Sequence, residues 1–372
     1  MLNKKEIKYS LNYIIYKLSQ DISKEEYYNL KHALASLVSL KVANKRLKNL
    51  EYPALLPKKS SIEWCSAVVE AALEDVEPIV FNELDVDYID FIIKLAKNLS
   101  DVSINNIEFE FPYLKVKDKN VIKSSKEFYK SLNNEKISEI ANIILNDSSH
   151  YDFIDRINMY GTLGGTIAGI TVFDYALNKP YITVQRTDGV FEYETFNHEV
   201  MHGIDFYMHP KNPAYYYNGF QEIPSHVINY LTVDFLKEKN IDPEHVDLIA
   251  LNSFHNTLTL AHRITNFVNN NKLEKEKNKY KIDDPVMIFN LLKFEAFVLA
   301  NSVYNQTKTD KTTALNNLVK YMEEPFTRDV VPDFSYIGFS NDKLLDESKR
   351  MAEDCKKVVT KNLNKIKSIT IC

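Results

Sequence analysis

The chain has 372 residues, of which 45% are apolar and 26% charged, and its formal net charge is −5 at pH 7. This apolar content supports a sizeable core and excludes a disordered or fibrous protein, while the slightly acidic balance gives no electrostatic footprint for nucleic acid. The three Cys are too few and too scattered for a disulfide framework or a cysteine-based metal site. They fit a reducing compartment, where thiols stay free.

The start of the chain shows no targeting signal. Its first eight residues carry charges but no apolar segment ending in a small-residue cleavage site, so no signal peptide is predicted. The longest apolar stretches are far shorter than the roughly 20 residues that a membrane span needs. We therefore expect a cytoplasmic protein that binds neither nucleic acid nor membrane, and we make no prediction of its oligomeric state.

Low glycine and proline contents indicate long helices. Only 8 Gly and 12 Pro occur in the chain, well below the usual frequencies of about 7% and 5%. Apolar residues at helical spacing predict helices over residues 4–49, 61–81, 87–98 and 124–146. Strict alternation over residues 107–111 predicts a strand, which Pro112 confines to an edge or an end.

The character of the sequence changes near residue 160. Four of the eight Gly fall within residues 161–169, but this segment lacks the G-x-G-x-x-G spacing and the Lys of a phosphate-binding loop, so we predict a turn-forming loop. Residues 181–185 predict a strand, and Asp188-Gly189 predicts a turn. From residue 195 onward we expect helices to the end of the chain, with residues 269–281 forming a polar loop or helix end.

The strongest chemical signal is the segment E-T-F-N-H-E-V-M-H-G-I-D, residues 194–205, which contains H-E-x-x-H. On a helix, His198 and His202 are one turn apart, so both imidazoles can reach the same Zn²⁺. Glu199 lies about 100° around the helix, where its carboxylate suits a general base for a zinc-activated water. The alternative is an ordinary helix with two unrelated His beside a charged Glu.

A catalytic zinc site needs a third protein ligand. His209 is a candidate by analogy with the metzincins, but their pattern needs glycine at position 205 and histidine at position 208, where this chain has Asp205 and Met208. Glu222 is the better candidate, because it begins the next predicted helix and Pro224 fits the first turn of that helix. The alternative is a helix-starting Glu that only complements the helix dipole.

Together these segments resemble the oligoendopeptidase F and thimet oligopeptidase family of zinc peptidases over about residues 160–235. The resemblance is carried by Gly164-Gly165, Lys179-Pro180-Tyr181-Ile182-Thr183-Val184, the H-E-x-x-H helix and Glu222-Ile223-Pro224-Ser225. It implies one Zn²⁺ per chain at His198, His202 and Glu222, with Glu199 as the base. It also implies a mainly α, multi-helix, zincin-like body of the gluzincin type, with a small β element before the H-E-x-x-H helix and a substrate channel between two halves.

We accordingly divide the chain into an N-terminal helical region, residues 1–150, and a catalytic zinc-binding helical region, residues 151–372. The predicted function is a zinc metallopeptidase that hydrolyses peptide bonds, with short peptides as its partners. Three positions depart from the family pattern. The family usually has Gly where this chain has Met201, His where it has Asp205, and an acidic residue where it has Asn229. These departures and the short chain leave two alternatives open: a protease dedicated to one protein or leader peptide, and a non-catalytic, zinc-containing peptide-binding protein of the same fold.

Four further residues are candidates for the neighbourhood of the zinc. A peptidase needs a group that stabilises the developing oxyanion, usually Tyr or His, and Tyr304 and Tyr336 are candidates by position. Asp205 is a candidate partner for a ring N–H of a metal-binding His, with a solvated helix position as the alternative. His226 shares a helix face with Glu222, and a plain surface His is the alternative there.

Overall fold

The structure is a computed structural model, and it describes part of the chain. The described residues are 16–17, 20–22, 84–100, 102, 121–154, 169–174, 179–186, 189–208, 221–243, 245–270, 274–276, 279–281, 285–323 and 337–369. Most of the helical region predicted over 4–49, the helix predicted over 61–81, the strand predicted over 107–111 and the glycine-rich loop before Gly169 lie outside them.

Helices dominate the described residues. In chain order they are α1 (Val86–Ser100), α2 (Val121–Ser131), α3 (Glu135–Asn146), α4 (Val190–Met208), α5 (Glu222–Glu238), α6 (Val246–Asn269), α7 (Pro285–Thr307), α8 (Lys311–Glu323) and α9 (Asn341–Ile369). The strands are β1 (Leu84–Asp85), β2 (Tyr151–Ile154), β3 (Gly169–Asp174), β4 (Lys179–Gln185), β5 (Glu274–Glu276) and β6 (Lys279–Lys281). The prediction of a mainly α fold with a small β element before the H-E-x-x-H helix is confirmed. Among the helices of the described ranges, none has both the length and the apolar content needed to cross a bilayer.

The helical segments predicted near 124–146 are the two helices α2 and α3, which two Asn separate. Asn133 adopts a left-handed backbone conformation with φ 54°, which Asn tolerates better than most residues. The side-chain oxygen of Asn134 then accepts the backbone N–H of Ile137 at 3.1 Å and so caps α3. This local chemistry ends α2 and restarts the chain as α3.

Contacts between residues divide the chain into two compact units, and the described part of the first lies mainly within residues 139–186 and 199–208. Its sheet has the order β2-β4-β3, with β2 parallel and β3 antiparallel to the central β4. Ile182 and Val184 of β4 are fully buried. A methyl group on Gly203 of α4 would lie 3.0 Å from Ile144 Cδ1 and 3.4 Å from Ile182 Cδ1. Glycine therefore lets this end of α4 lie close against α3 and β4.

The second unit, whose described residues lie within 84–138, 189–198 and 221–369, is mostly helical. Helix α1 packs against α6 and α9 through a face of apolar residues at helical spacing. The fully buried residues of that face are Ile89, Ile92, Leu95, Ala96 and Leu99. This periodicity is the reason that the sequence alone predicts α1 over residues 87–98.

Helices α5 and α7 lie side by side and run in the same direction. Three contacts define their register: Lys293 with Glu222, Phe297 with His226, and Tyr304 with Asp234. Because residue numbers increase together along both helices, the pair is parallel. This arrangement places the start of α5, with Glu222, beside the middle of α7.

The prediction of a polar loop or helix end over residues 269–281 is wrong in part. Strands β5 and β6 form an antiparallel hairpin there, and β6 also pairs with β1. The segment is almost entirely polar, so it lacks the apolar alternation that marks a strand in sequence. Backbone pairing with β1, which is nearly 200 residues earlier in the chain, is invisible to a local pattern.

Candidate metal centre

Helix α4 carries the H-E-x-x-H motif within a largely buried environment. Phe196, Val200, Met201 and Ile204 are fully buried. A helix with apolar contacts on this scale keeps polar groups inside only where they find partners. We therefore expect each polar side chain of the motif to have a hydrogen-bond or ionic partner.

The structure brings His198, His202 and Glu222 together. One ligand atom from each lies within 4.8 Å of the others, and His198 Nε2 is 3.5 Å from Glu222 Oε2. Two N or O ligands that each lie about 2.0–2.2 Å from a tetrahedral Zn²⁺ are about 3.4 Å apart. Two His and one Glu also form a donor set that catalytic zinc sites use. The residues present therefore fit a zinc ion, and Glu222 begins α5 as the sequence predicts.

The Glu222 carboxylate has a neighbour at each oxygen. Its Oε1 lies 3.4 Å from Lys293 Nζ, and its Oε2 lies 3.4 Å from His226 Nε2 as well as near His198. Lys293 also lies 5.6 Å from the centre of the Phe297 ring. Lys293 is 71 residues from Glu222 and comes from another helix, so no local pattern in the sequence indicates this contact.

His226 is part of this cluster and not a surface residue. Its exposed fraction is 8%, and its ring lies 5.2 Å from that of His198 and 4.0 Å from that of Phe297 between centroids. Burial lowers the pKa of His226 below its usual 6.5, and the contacts with Glu222 oppose that shift only in part. The interpretation of His226 as a plain surface His is wrong.

Asn229, on α5, lies between His198 of α4 and His226 of α5. Its Oδ1 is 3.2 Å from Nδ1 of His198, and its Nδ2 is 3.5 Å from Nδ1 of His226. Its exposed fraction is 4%. Glu222, His226 and Asn229 are spaced i, i+4 and i+7, so they share one face of α5.

Glu199 is buried and contacts the neighbouring strand. The hydroxyl of Thr171, in β3, lies 2.6 Å from Glu199 Oε2 and 2.9 Å from the backbone oxygen of Glu199. The hydroxyl has one proton, so it donates to one of these oxygens at a time. Sequence reasoning did not identify Thr171, because a Thr in a strand is ordinary and its contact is 28 residues away.

The structure does not bring Tyr304 to the candidate ligands. Its hydroxyl donates to the carboxylate of Asp234 at 2.9 and 3.0 Å, and its ring stacks on Tyr230 at 4.9 Å. Asp234 is twelve residues beyond Glu222 on the same helix, which corresponds to about 18 Å along the axis. Tyr336, the other candidate for oxyanion stabilisation, lies outside the described residues.

Asp205 is deeply buried, with an exposed fraction of 1%. The alternative of a solvated helix position is therefore wrong. Met201, at the position where the resembled family usually has Gly, is fully buried in the core and lies on the helix between the two motif His.

Comparison with known proteins gives matches among solved structures. No family model matches the sequence, and no curated protein matches it. An oligoendopeptidase F from Bacillus anthracis strain Ames aligns over 98% of this chain and 79% of its own, with 14% identity and a TM-score of 0.41. PZ peptidase A in complex with an inhibitor aligns over 98% and 80%, with 12% identity and a TM-score of 0.47.

A second oligoendopeptidase F aligns over 98% of this chain and 80% of its own, with 12% identity and a TM-score of 0.44. Two of these three solved structures are thus oligoendopeptidase F proteins, and the third is PZ peptidase A.

Proposed function

We propose that the chain is a zinc-dependent metallopeptidase. The observation that carries the proposal is the convergence of His198, His202 and Glu222 within 4.8 Å. The carboxylate of Glu199 lies on the same helix as the two His. The three converging residues would hold the ion. When bound, zinc supplies a Lewis acid for the scissile carbonyl and makes water more acidic.

Glu199 is the base in this proposal. Its carboxylate takes the proton of the attacking water and passes it to the leaving amine, so one group serves both proton transfers. The Thr171 hydroxyl, 2.6 Å from Oε2, holds the carboxylate in one orientation. Glu199 lies on α4 beside the two motif His, and Thr171 contacts it from β3. This position supports a role for Glu199 at the reacting bond.

Short peptides are the proposed substrates, and the cytoplasm is the proposed location. The resemblance of residues 160–235 to the oligoendopeptidases supports peptide bonds as the target. The three scattered Cys support a reducing compartment.

The test is mass spectrometry of a mixed peptide pool that is incubated with zinc-loaded protein. We expect many peptides to be cleaved, and we expect Glu199→Gln to reduce cleavage by at least about a hundredfold while zinc stays bound, because only the base is lost. Cleavage by the Gln variant at the wild-type rate would contradict the role of Glu199.

Two other results would favour the remaining alternatives. Cleavage of one or very few peptides would indicate a dedicated protease. If zinc is bound but no peptide is cut, the non-catalytic peptide-binding protein becomes the better description. In that case the peptides retained by the protein should be identified from the same incubation.

A further inference from the structure

We propose that Asn229 and His226 form a hydrogen-bond relay that sets the ring tautomer of His198 and the orientation of the Glu222 carboxylate. In this relay Asn229 contacts both His, and His226 contacts Glu222. The inference rests on the proposed metal site, because its purpose is to present two of the three ligand atoms. Its components are the four contacts among Glu222, His226, Asn229 and His198.

The first step of the relay concerns His198. Its Nε2 faces Glu222 Oε2 at 3.5 Å, and its Nδ1 faces Asn229 Oδ1 at 3.2 Å. An amide oxygen only accepts hydrogen bonds, so Nδ1 carries the proton and donates it. The lone pair is then on Nε2, the nitrogen that faces Glu222.

The second step follows from the amide of Asn229. With its oxygen committed to His198, its NH₂ group faces Nδ1 of His226 at 3.5 Å. This nitrogen must accept, so the proton of a neutral His226 ring is on Nε2. That N–H points to Glu222 Oε2 at 3.4 Å and donates to it. Each hydrogen in the relay thus has one donor and one acceptor.

The relay explains the residue type at position 229. A carboxylate there would accept from His198, but it would also face the lone pair of His226 Nδ1 and has no hydrogen to donate to it. A leucine would serve neither ring. Asparagine offers a donor and an acceptor on one short side chain, so it satisfies both imidazoles while His226 stays neutral.

The relay is held on rigid elements. Glu222, His226 and Asn229 share one face of α5, and the Phe297 ring of α7 packs on His226 at 4.0 Å between centroids. Lys293 Nζ lies 3.4 Å from the other oxygen of Glu222. Both oxygens of the carboxylate are therefore positioned before a metal arrives, which limits the reorganisation that binding requires.

The experiment measures zinc affinity by competition with a chromophoric chelator. We expect Asn229→Leu and His226→Phe each to weaken zinc binding by about 10- to 100-fold, as loss of a ligand-orienting partner does. The double variant should lose less than the product of the two single losses, because both changes interrupt the same relay. His226→Phe keeps an aromatic ring against Phe297.

Two polar variants and one matched control complete the design. Asn229→Asp and His226→Gln keep size and polarity in case the apolar variants do not fold; Asn229→Asp should fall between wild type and Asn229→Leu. Asn301→Leu is the control, since Asn301 is buried on α7 and forms its side-chain hydrogen bonds with Asn305 and Tyr230. This variant should bind zinc as wild type does.

The outcomes separate the relay from the proposed function. A wild-type protein that binds no zinc contradicts the metal site itself. If wild type binds zinc and the variants at 226 and 229 bind it equally well, or if the double variant shows the full product of the single losses, the relay is overturned. Nitrogen-15 NMR of labelled His, with His198 assigned from His198→Asn, should show the proton on Nδ1; a proton on Nε2 in the metal-free protein would also overturn it.

Discussion

At the scale of single residues, the hydrogen bond between Thr171 and Glu199 ties the proposed base to the β element. Its length of 2.6 Å is short for an O–H···O bond and fits donation to a charged carboxylate. A Glu side chain has several staggered rotamers, which point its carboxylate in different directions. The hydroxyl therefore restricts which way the carboxylate points during proton transfer.

Thr171→Val tests this contact, since it keeps the shape of the side chain and removes the donor. A hydrogen bond to a charged group contributes about 1.5–3 kcal/mol, so we expect kcat/KM for peptide cleavage to fall about tenfold or more, with zinc content unchanged. Thr171→Ser keeps the hydroxyl and is the matched control. Equal activity in the Val variant and wild type would show that Thr171 does not position the base.

At the scale of helices, a buried acid links α7 to α1. The hydroxyl of Tyr88 donates to Glu295 Oε2, and burial raises the pKa of Glu295 from 4.5 to about 8, although the bond from Tyr88 opposes the shift. The folded protein therefore keeps this proton between about pH 4.5 and 8, while the unfolded chain releases it. Because the folded pKa is the higher one, this contribution to stability is complete below pH 4.5 and is lost as pH rises through about 8.

Glu295→Gln should remove this pH dependence. The variant and wild type should have similar free energies of unfolding at pH 5, and the variant should be more stable by a few kcal/mol at pH 9, where only wild type has a buried charge. Urea unfolding at the two pH values measures the difference. Glu353→Gln on the exposed side of α9 is the control, and a Glu295→Gln variant whose advantage does not grow with pH would contradict the raised pKa.

Helix positions were predictable from sequence where the signal is local. The apolar spacing of α1, the motif helix α4 and the start of α5 at Glu222 all come from patterns within about ten residues. The sequence predicted helical segments near 124–146 but not where they divide, because the division depends on the backbone conformation of Asn133 and the cap formed by Asn134. The β5–β6 hairpin was missed because its strands are held by backbone pairing and show no apolar alternation in the sequence.

At the scale of the whole molecule, the three proposed ligands were predictable, but their surroundings were not. The H-E-x-x-H spacing fixes His198 and His202 on one helix face. The predicted helix start near Pro224 indicated Glu222, and the family resemblance supported it. Thr171 contacts the proposed base Glu199, and Lys293 contacts the proposed ligand Glu222, each from a distant segment, so only the tertiary structure identifies them. The predicted substrate channel between two halves and the boundary at residue 150 stay predictions.

Zinc content per chain is the most direct test of the central claim, which is that one ion joins α4 to the start of α5. After dialysis against metal-free buffer, elemental analysis should find about one zinc per chain in wild type. Glu222→Ala should lose most of it, because a two-ligand site retains zinc poorly, whereas Glu238→Ala, at the exposed end of the same helix, should keep it. A wild-type protein without zinc, or a Glu222→Ala variant with undiminished zinc, would contradict the account.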